Sequence, residues 1–335
     1  MILATRDVAR GNLFRDHEFW GGLMNIRALF VLGLALALVT PATALEKPAA
    51  TPLPPRLVMS WVPAYGIATS DARLRALYGG FGPRNALNHL GLQFWGPTTA
   101  GGVNRVTRYG TISNATIQKF VALGHANGIK VMLCVFNGEN GWNWSLAKAA
   151  FATHQAAFIS ALIGQMQARG LDGIDVDLEG PAGNFEADKP AYVAFIKELA
   201  RRVHLLGKQV TLDSFHYIYN APNQNWWATL LPLVDGLTSM GYEDLARNAP
   251  EVYFRYLSQK TKAGALSRKL MIGMPSYLSS WKGNTALQQA QWFMLPAAGR
   301  VGIGIWDAQD NDPVPSAWRS AAVWKAIRAV RIDPN

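Results

Sequence analysis

The chain has 335 residues, of which 50% are hydrophobic and only 16% charged, a balance that supplies a large core and excludes an intrinsically disordered protein. Its formal charge of +10 comes from scattered lysines and arginines, densest at Arg201-Arg202. No basic run is interleaved with aromatics, so nucleic acid is excluded as the expected partner. The single cysteine, Cys134, excludes an intrachain disulfide framework and a multi-cysteine metal site. Its setting in the apolar run Val131 to Phe136 marks a packed, inert thiol.

From the N-terminus, Met24-Asn25-Ile26-Arg27 precedes an apolar run from Ala28 to Val39 and the small residues Ala42-Thr43-Ala44, which is the order of a secretory signal. Residues 1–44 are therefore read as an N-terminal extension plus signal peptide, with Met24 as the working start and a secreted or periplasmic destination. The apolar run is too short to span a bilayer comfortably, so no stable membrane insertion is expected after cleavage. Residues 45–55, rich in Pro and Ala, read as a linker, and the folded domain is expected over 56–335.

Within that domain eight short apolar runs recur, at Leu57–Met59, Leu90–Phe94, Val131–Phe136, Gly173–Leu178, Val210–Leu212, Gly236–Met240, Leu270–Ile272 and Val301–Ile305. Between them lie segments of helical period. The clearest carries Tyr192, Val193, Phe195, Ile196, Leu199 and Val203 and stops at Gly207, and another runs from Asn114 to Gly128. Strand, helix, glycine, strand is the α/β rhythm, and eight such units predict a single-domain (β/α)8 TIM barrel. The alternative, a doubly wound sheet, lacks a Gly-rich fingerprint after the first strand, where Ser60-Trp61-Val62-Pro63-Ala64-Tyr65 is bulky.

The fourth run carries the chemistry. Asp175, Asp177 and Glu179 are spaced two apart, so in an extended segment they share one face while Ile174, Val176 and Leu178 share the other. A barrel packs its outer face on helices, which sends the acids inward and toward the C-terminal mouth, with Glu179 last. Three such acids cannot all remain ionised at close range, so at least one is expected to hold a proton. Calcium sites prefer loop ligands, and the alternating Ile, Val and Leu require a buried strand. Neither a metal nor an organic cofactor is signalled.

The segment Asp172-Gly173-Ile174-Asp175-Val176-Asp177-Leu178-Glu179 resembles the DxxDxDxE signature of family 18 glycoside hydrolases, the chitinases and endo-β-N-acetylglucosaminidases. Met240-Gly241-Tyr242 is similar to the family's Met-x-Tyr at the sixth strand, and Ile305-Trp306 to its tryptophan at the eighth. Ile272-Gly273-Met274-Pro275-Ser276-Tyr277 is similar to its seventh strand. The resemblance implies substrate-assisted hydrolysis next to N-acetylglucosamine. Glu179 would be the acid, and Asp177 would orient the acetamido group and share a proton with Asp175. Tyr242 would donate to the acetamido oxygen, Trp306 would floor the sugar site, and Met240 and Tyr277 would contact substrate. Asp172, off the parity of the others, would brace the strand.

The chain also departs from that pattern. The third strand reads Cys134-Val135-Phe136-Asn137-Gly138, removing a hydroxyl that would support Asp175. Glu243-Asp244 follows the tyrosine where one aspartate is usual, and either Trp61 or Tyr65 takes the place of a first-strand tyrosine. About twenty residues between Tyr277 and Val301 leave no room for the insertion domain of many chitinases, so the cleft is expected to be shallow. Aromatics cluster beyond the strands at Phe94-Trp95, Trp142, Trp144, Tyr217, Tyr219, Trp226-Trp227 and Trp281, and sugar faces stack on such rings. The polar loop Asn137 to Trp144 is the expected substrate-contacting loop, with Asn137, Trp142 and Trp95 among its contacts. The expected partner is an N-acetylglucosamine oligo- or polysaccharide, as in chitin, with N-glycans or envelope glycans as alternatives. A non-catalytic lectin on the same scaffold is the reading from another class.

Overall fold

The computed structural model describes residues 54–107, 110–139, 141–180, 186–214, 226–242, 249–261, 268–308 and 316–333. The expected signal peptide, and the linker apart from Pro54 and Pro55, lie outside them. Eight parallel strands form the barrel: β1 (Val58–Pro63), β2 (His89–Pro97), β3 (Lys130–Phe136), β4 (Gly173–Asp177), β5 (Gln209–Ser214), β6 (Gly236–Ser239), β7 (Leu270–Pro275) and β8 (Gly302–Trp306). Each pairs with the next, and β1 pairs with both β2 and β8, which closes the sheet. This is the predicted TIM barrel.

Strand alternation divides the apolar residues into two groups. Val58 and Val62, Val131 and Leu133, and Ile174 and Val176 join the large core between strands and helices. Met59, Trp61, Met132, Cys134 and Met271 form a smaller cluster. These five have the opposite parity and fill the barrel itself. Helices stop where glycine can turn the chain: the helix Asn114–Ala126, capped by Ser113 accepting from the Thr116 N–H at 3.0 Å, is followed by Gly128 at φ 67°. Between β7 and β8 the described chain forms a small ribbon, pairing Ser280–Trp281 with Asn284–Thr285, and the helix Ala286–Trp292. There is no insertion domain there. Among the described residues no single helix is long and apolar enough to cross a membrane.

The two ends of the domain are tied together under the barrel. Arg56 ion-pairs with Asp333, donates from Nη1 to the Phe293 carbonyl at 2.7 Å, and bonds through its backbone N–H to the Arg331 carbonyl at 2.9 Å. Both side chains of the pair are buried, so removing one partner leaves the other charge without compensation. Arg56→Ala is therefore expected to lower unfolding free energy by about 3–5 kcal/mol in urea denaturation. A loss below about 1 kcal/mol, the value of an exposed pair, would contradict this role.

Candidate active site

In β4, Asp175 and Asp177 point into the barrel while Ile174 and Val176 pack outward. The regular strand ends at Asp177, so Glu179 needs a separate support. Asn137, just beyond β3, supplies it: its Oδ1 accepts the Glu179 N–H at 2.8 Å and its Nδ2 donates to the Glu179 carbonyl at 2.5 Å. The same Nδ2 reaches the Asn143 carbonyl at 2.9 Å, linking the loop after β3 to the acid.

Asp175 faces Cys134 on β3 and Thr211 on β5 in the ladder. It accepts from Trp61 Nε1 at 2.8 Å and from the Thr211 hydroxyl at 2.5 Å. Burial raises its pKa, and those hydrogen bonds pull it part of the way back. Asp177 accepts from Gln93 Nε2 at 2.8 Å and shares a hydrogen bond with Glu179. Burial carries Asp177 to about 6 against both hydrogen bonds, with the Asp175 charge adding to the rise. Glu179 is held well above the ordinary carboxylate range by burial and by the charge of Asp177. Asp213 on β5 is raised likewise by burial, Asp175 and Asp177.

A cavity of about 280 Å³ opens over these acids. Asp177, Glu179 and Asp213 line it together with Gln93, Met240, Tyr242, Trp61, Trp142 and Trp306. Trp61 and Trp306 meet with ring centroids 6.2 Å apart at 44°. Tyr242 reaches the cavity because Gly273 in β7 has no side chain; a Cβ there would lie 2.4 Å from the tyrosine ring. Burial and the charge of Asp213 push the Tyr242 hydroxyl up, so it stays a neutral donor. A second hollow of about 140 Å³ continues past Trp142 and Trp306 to Tyr65 and Glu139.

Three donor atoms, on Cys134, Asp177 and Asp213, lie within 4.8 Å of one another.

Several residues stand elsewhere than the sequence suggests. Trp95 does not reach the cavity: the β2–β3 register shifts between Gln93 and Trp95, and the indole is buried in the outer core with its Nε1 3.4 Å from Gln165. Asn137 uses its amide on the Glu179 backbone and lines a neighbouring hollow with Asn104 and Asn143 rather than this cavity. Tyr277 neighbours Tyr242 but does not line the cavity. Trp144 and Trp226, expected at the rim, are buried and donate to Asp188 at 2.8 Å and Glu186 at 2.7 Å. Trp227 is buried too, whereas Trp142 is 42% exposed beside the cavity. Trp61, one of two candidates for the first strand, contacts Asp175, while Tyr65 bonds Asp307 at 2.9 Å. Asp172 sits at the opposite end of β4, where it accepts from the Val131 N–H at 2.9 Å and lies 2.8 Å from His125 Nε2. Glu243, Asp244, Tyr217 and Tyr219 lie outside the described residues. Gln93, Thr211 and Asp213 were missed, although Thr211 and Asp213 share one parity beside the acidic strand.

Residues 76–326 match the family model of glycosyl hydrolases family 18. No curated protein sequence matches the chain significantly. Similar solved structures include a chitinase from Chromobacterium violaceum, with 16% identity and TM-score 0.59 over 82% of this chain and 98% of that one. The Group IV chitinase of Ostrinia furnacalis has 14% identity and TM-score 0.60 over 83% of this chain and 100% of its own. The spore cortex-lytic enzyme SleL of Bacillus cereus has 15% identity and TM-score 0.60 over 84% of this chain and 75% of its own. At those identities the structures speak for the fold, and the family match, spanning most of the chain, shows that this protein belongs to glycosyl hydrolase family 18 and is a glycoside hydrolase.

Proposed function

We propose that this hydrolase is exported and cleaves β-1,4 bonds next to N-acetylglucosamine with retention, in the manner of a chitinase, using the substrate's own acetamido group as nucleophile. The observation that carries this reading is the vertical order of the acids, Asp175 below Asp177 below Glu179, opening into a cavity walled by tryptophan. Glu179, raised by burial and by Asp177, holds the proton that a leaving glycosidic oxygen requires. As that proton moves to the leaving group, the acetamido oxygen closes on the anomeric carbon and the glycosidic bond breaks. The resulting oxazolinium ion carries a positive charge that the ionised Asp177 offsets.

Asp177 suits this partnership further. Its Oδ1 is buried and accepts from no N–H among the described residues, so an acetamido N–H can bond there. Water then attacks the anomeric carbon as the bond from the acetamido oxygen to that carbon opens and regenerates the acetamido group, and Glu179 takes the water's proton, returning to its starting state. Trp306 offers an apolar plane to the sugar, and Tyr242 offers its hydroxyl to the acetamido oxygen. The Ostrinia furnacalis Group IV chitinase has been solved with allosamidin. Chitooligosaccharides are thus the first substrates to test, with peptidoglycan fragments and a high-mannose glycoprotein beside them; turnover of none, with binding retained, supports a lectin instead.

Two outcomes are expected. Glu179→Gln lowers kcat by about 10²–10⁴-fold while calorimetric affinity for the oligosaccharide is kept, and equal activity would sink the mechanism. The kcat/KM profile rises with pH through about 6 as Asp177 ionises, because its protonated form cannot offset the cation, and falls at higher pH as Glu179 loses its proton. Activity that keeps increasing below that point contradicts the assigned roles.

A further inference from the structure

The β4 ladder ends before the acid does. Phe136 is the last residue of β3 to pair, opposite Asp177, and β5 pairs no further than Val176. Glu179 lies two residues beyond Asp177, past the paired strand, and lines the cavity. Asn137 follows Phe136 directly, and its amide does what the next peptide of β3 would do. Its Oδ1 accepts the Glu179 N–H at 2.8 Å and its Nδ2 donates to the Glu179 carbonyl at 2.5 Å. A carboxamide carries the donor and the acceptor of a peptide group, whereas an alanine side chain offers neither.

The same residue closes the loop after β3. Nδ2 also donates to the Asn143 carbonyl at 2.9 Å, and the Asn137 carbonyl accepts the Asn143 N–H at 3.3 Å. Both backbone groups of Asn143 are thereby pinned to Asn137. Asn143 in turn caps the helix Trp144–Lys148, its Oδ1 accepting the Leu146 N–H at 3.0 Å. Trp142 sits just inside this pin. Its exposed indole packs on Gly138, where a Cβ would lie 2.9 Å from the ring, and it lines both the cavity over the acids and the hollow of about 140 Å³ beside it. Hydrogen bonds from the Trp142 loop and from the acid's own backbone thus meet at one residue, so a displacement at either end is carried to the other.

We propose that Asn137 is a positioning residue that joins the Trp142 loop to the backbone of Glu179, so that a sugar stacked on Trp142 also sets the acid over the bond it protonates. Contact at Trp142 is then expressed in bond breaking as well as in affinity, which is how binding remote from the reacting atoms raises a rate. An error of about 1 Å in the placement of a reacting group can cost on the order of 10²-fold. The inference deepens the proposed function and rests on Glu179 being the proton donor, but the link between Asn137 and the Glu179 backbone is measurable without turnover.

The leaving group separates positioning from mere structure. A sugar hydroxyl must be protonated as it departs, whereas para-nitrophenol departs as a stable anion with little help. With Asn137→Ala, kcat/KM on a chitooligosaccharide is expected to fall about 10²-fold, and on the para-nitrophenyl glycoside of di-N-acetylchitobiose by less than about tenfold. A substitution that only loosened the barrel lowers both alike. Trp142→Ala, at an exposed ring, supplies a second arm that does not depend on how well the Asn137 variant folds. It is expected to lower kcat/KM on the oligosaccharide by a larger factor than it lowers calorimetric affinity in a Glu179→Gln background, and that excess should disappear when Asn137→Ala is added. Equal losses on the two substrates, or a Trp142→Ala loss in kcat/KM no greater than its loss in affinity, overturns the proposal. If the unaltered enzyme cleaves neither substrate, the proposed function fails, and hydrogen exchange at the Glu179 amide still decides the link: about tenfold or more faster in Asn137→Ala if Asn137 holds it, unchanged if it does not.

Discussion

Burying carboxylates in a protein interior opposes folding unless each finds donors or keeps a proton, and the upper half of this barrel is organised around that constraint. Packed inside the barrel with them are Met59, Met132, Met271 and Cys134, an apolar and polarisable cluster that gives charge little solvation. Above them the cavity admits substrate. Among the acids, Asp175 takes hydrogen bonds from Trp61 and Thr211, Asp177 from Gln93, and the Glu179 backbone is clamped by Asn137. Raised pKa values are the direct consequence of this arrangement, and an acid that holds its proton near neutral pH is what glycoside cleavage requires.

The scaffold makes room for the large rings that surround the acids by omitting side chains beside them. A Cβ at Gly91 would lie 2.5 Å from the Trp61 indole, and one at Gly304 would lie 3.1 Å from the same ring. Gly273 does the same for Tyr242. Glycine inside a strand weakens the ladder in isolation, so its presence at three such positions signals a close approach by a neighbouring ring. The thiol at position 134 belongs to the same economy of space: it lies beside Asp175 in the ladder, where a hydroxyl was expected.

Much of this was readable in the sequence because two periodicities are strong. Apolar runs separated by helical segments determine the barrel, and the two-residue spacing of Asp175, Asp177 and Glu179 determines which face they share. What was not readable depends on contacts between distant segments. The bulge that turns Trp95 into the outer core has no local mark in Phe94-Trp95. Asn137 looked like a loop residue open to substrate, but its amide is matched to a backbone 42 residues away. Trp144 and Trp226 carry the same indole as Trp142, and only their partners Asp188 and Glu186 distinguish packing from display. Asp213 could have been found: it follows Thr211 at the spacing that had already identified the acids of β4.

The catalytic acids therefore come from one strand face supported by its two neighbours, and the proposed mechanism takes its nucleophile from the sugar. The most direct measurement is the anomeric configuration of the first-formed product, followed by proton NMR on an N-acetylglucosamine oligomer and on its counterpart lacking the 2-acetamido groups. The account predicts a retained β product from the first and no appreciable hydrolysis of the second. An inverted product, or ready cleavage of the oligomer without acetamido groups, would contradict it.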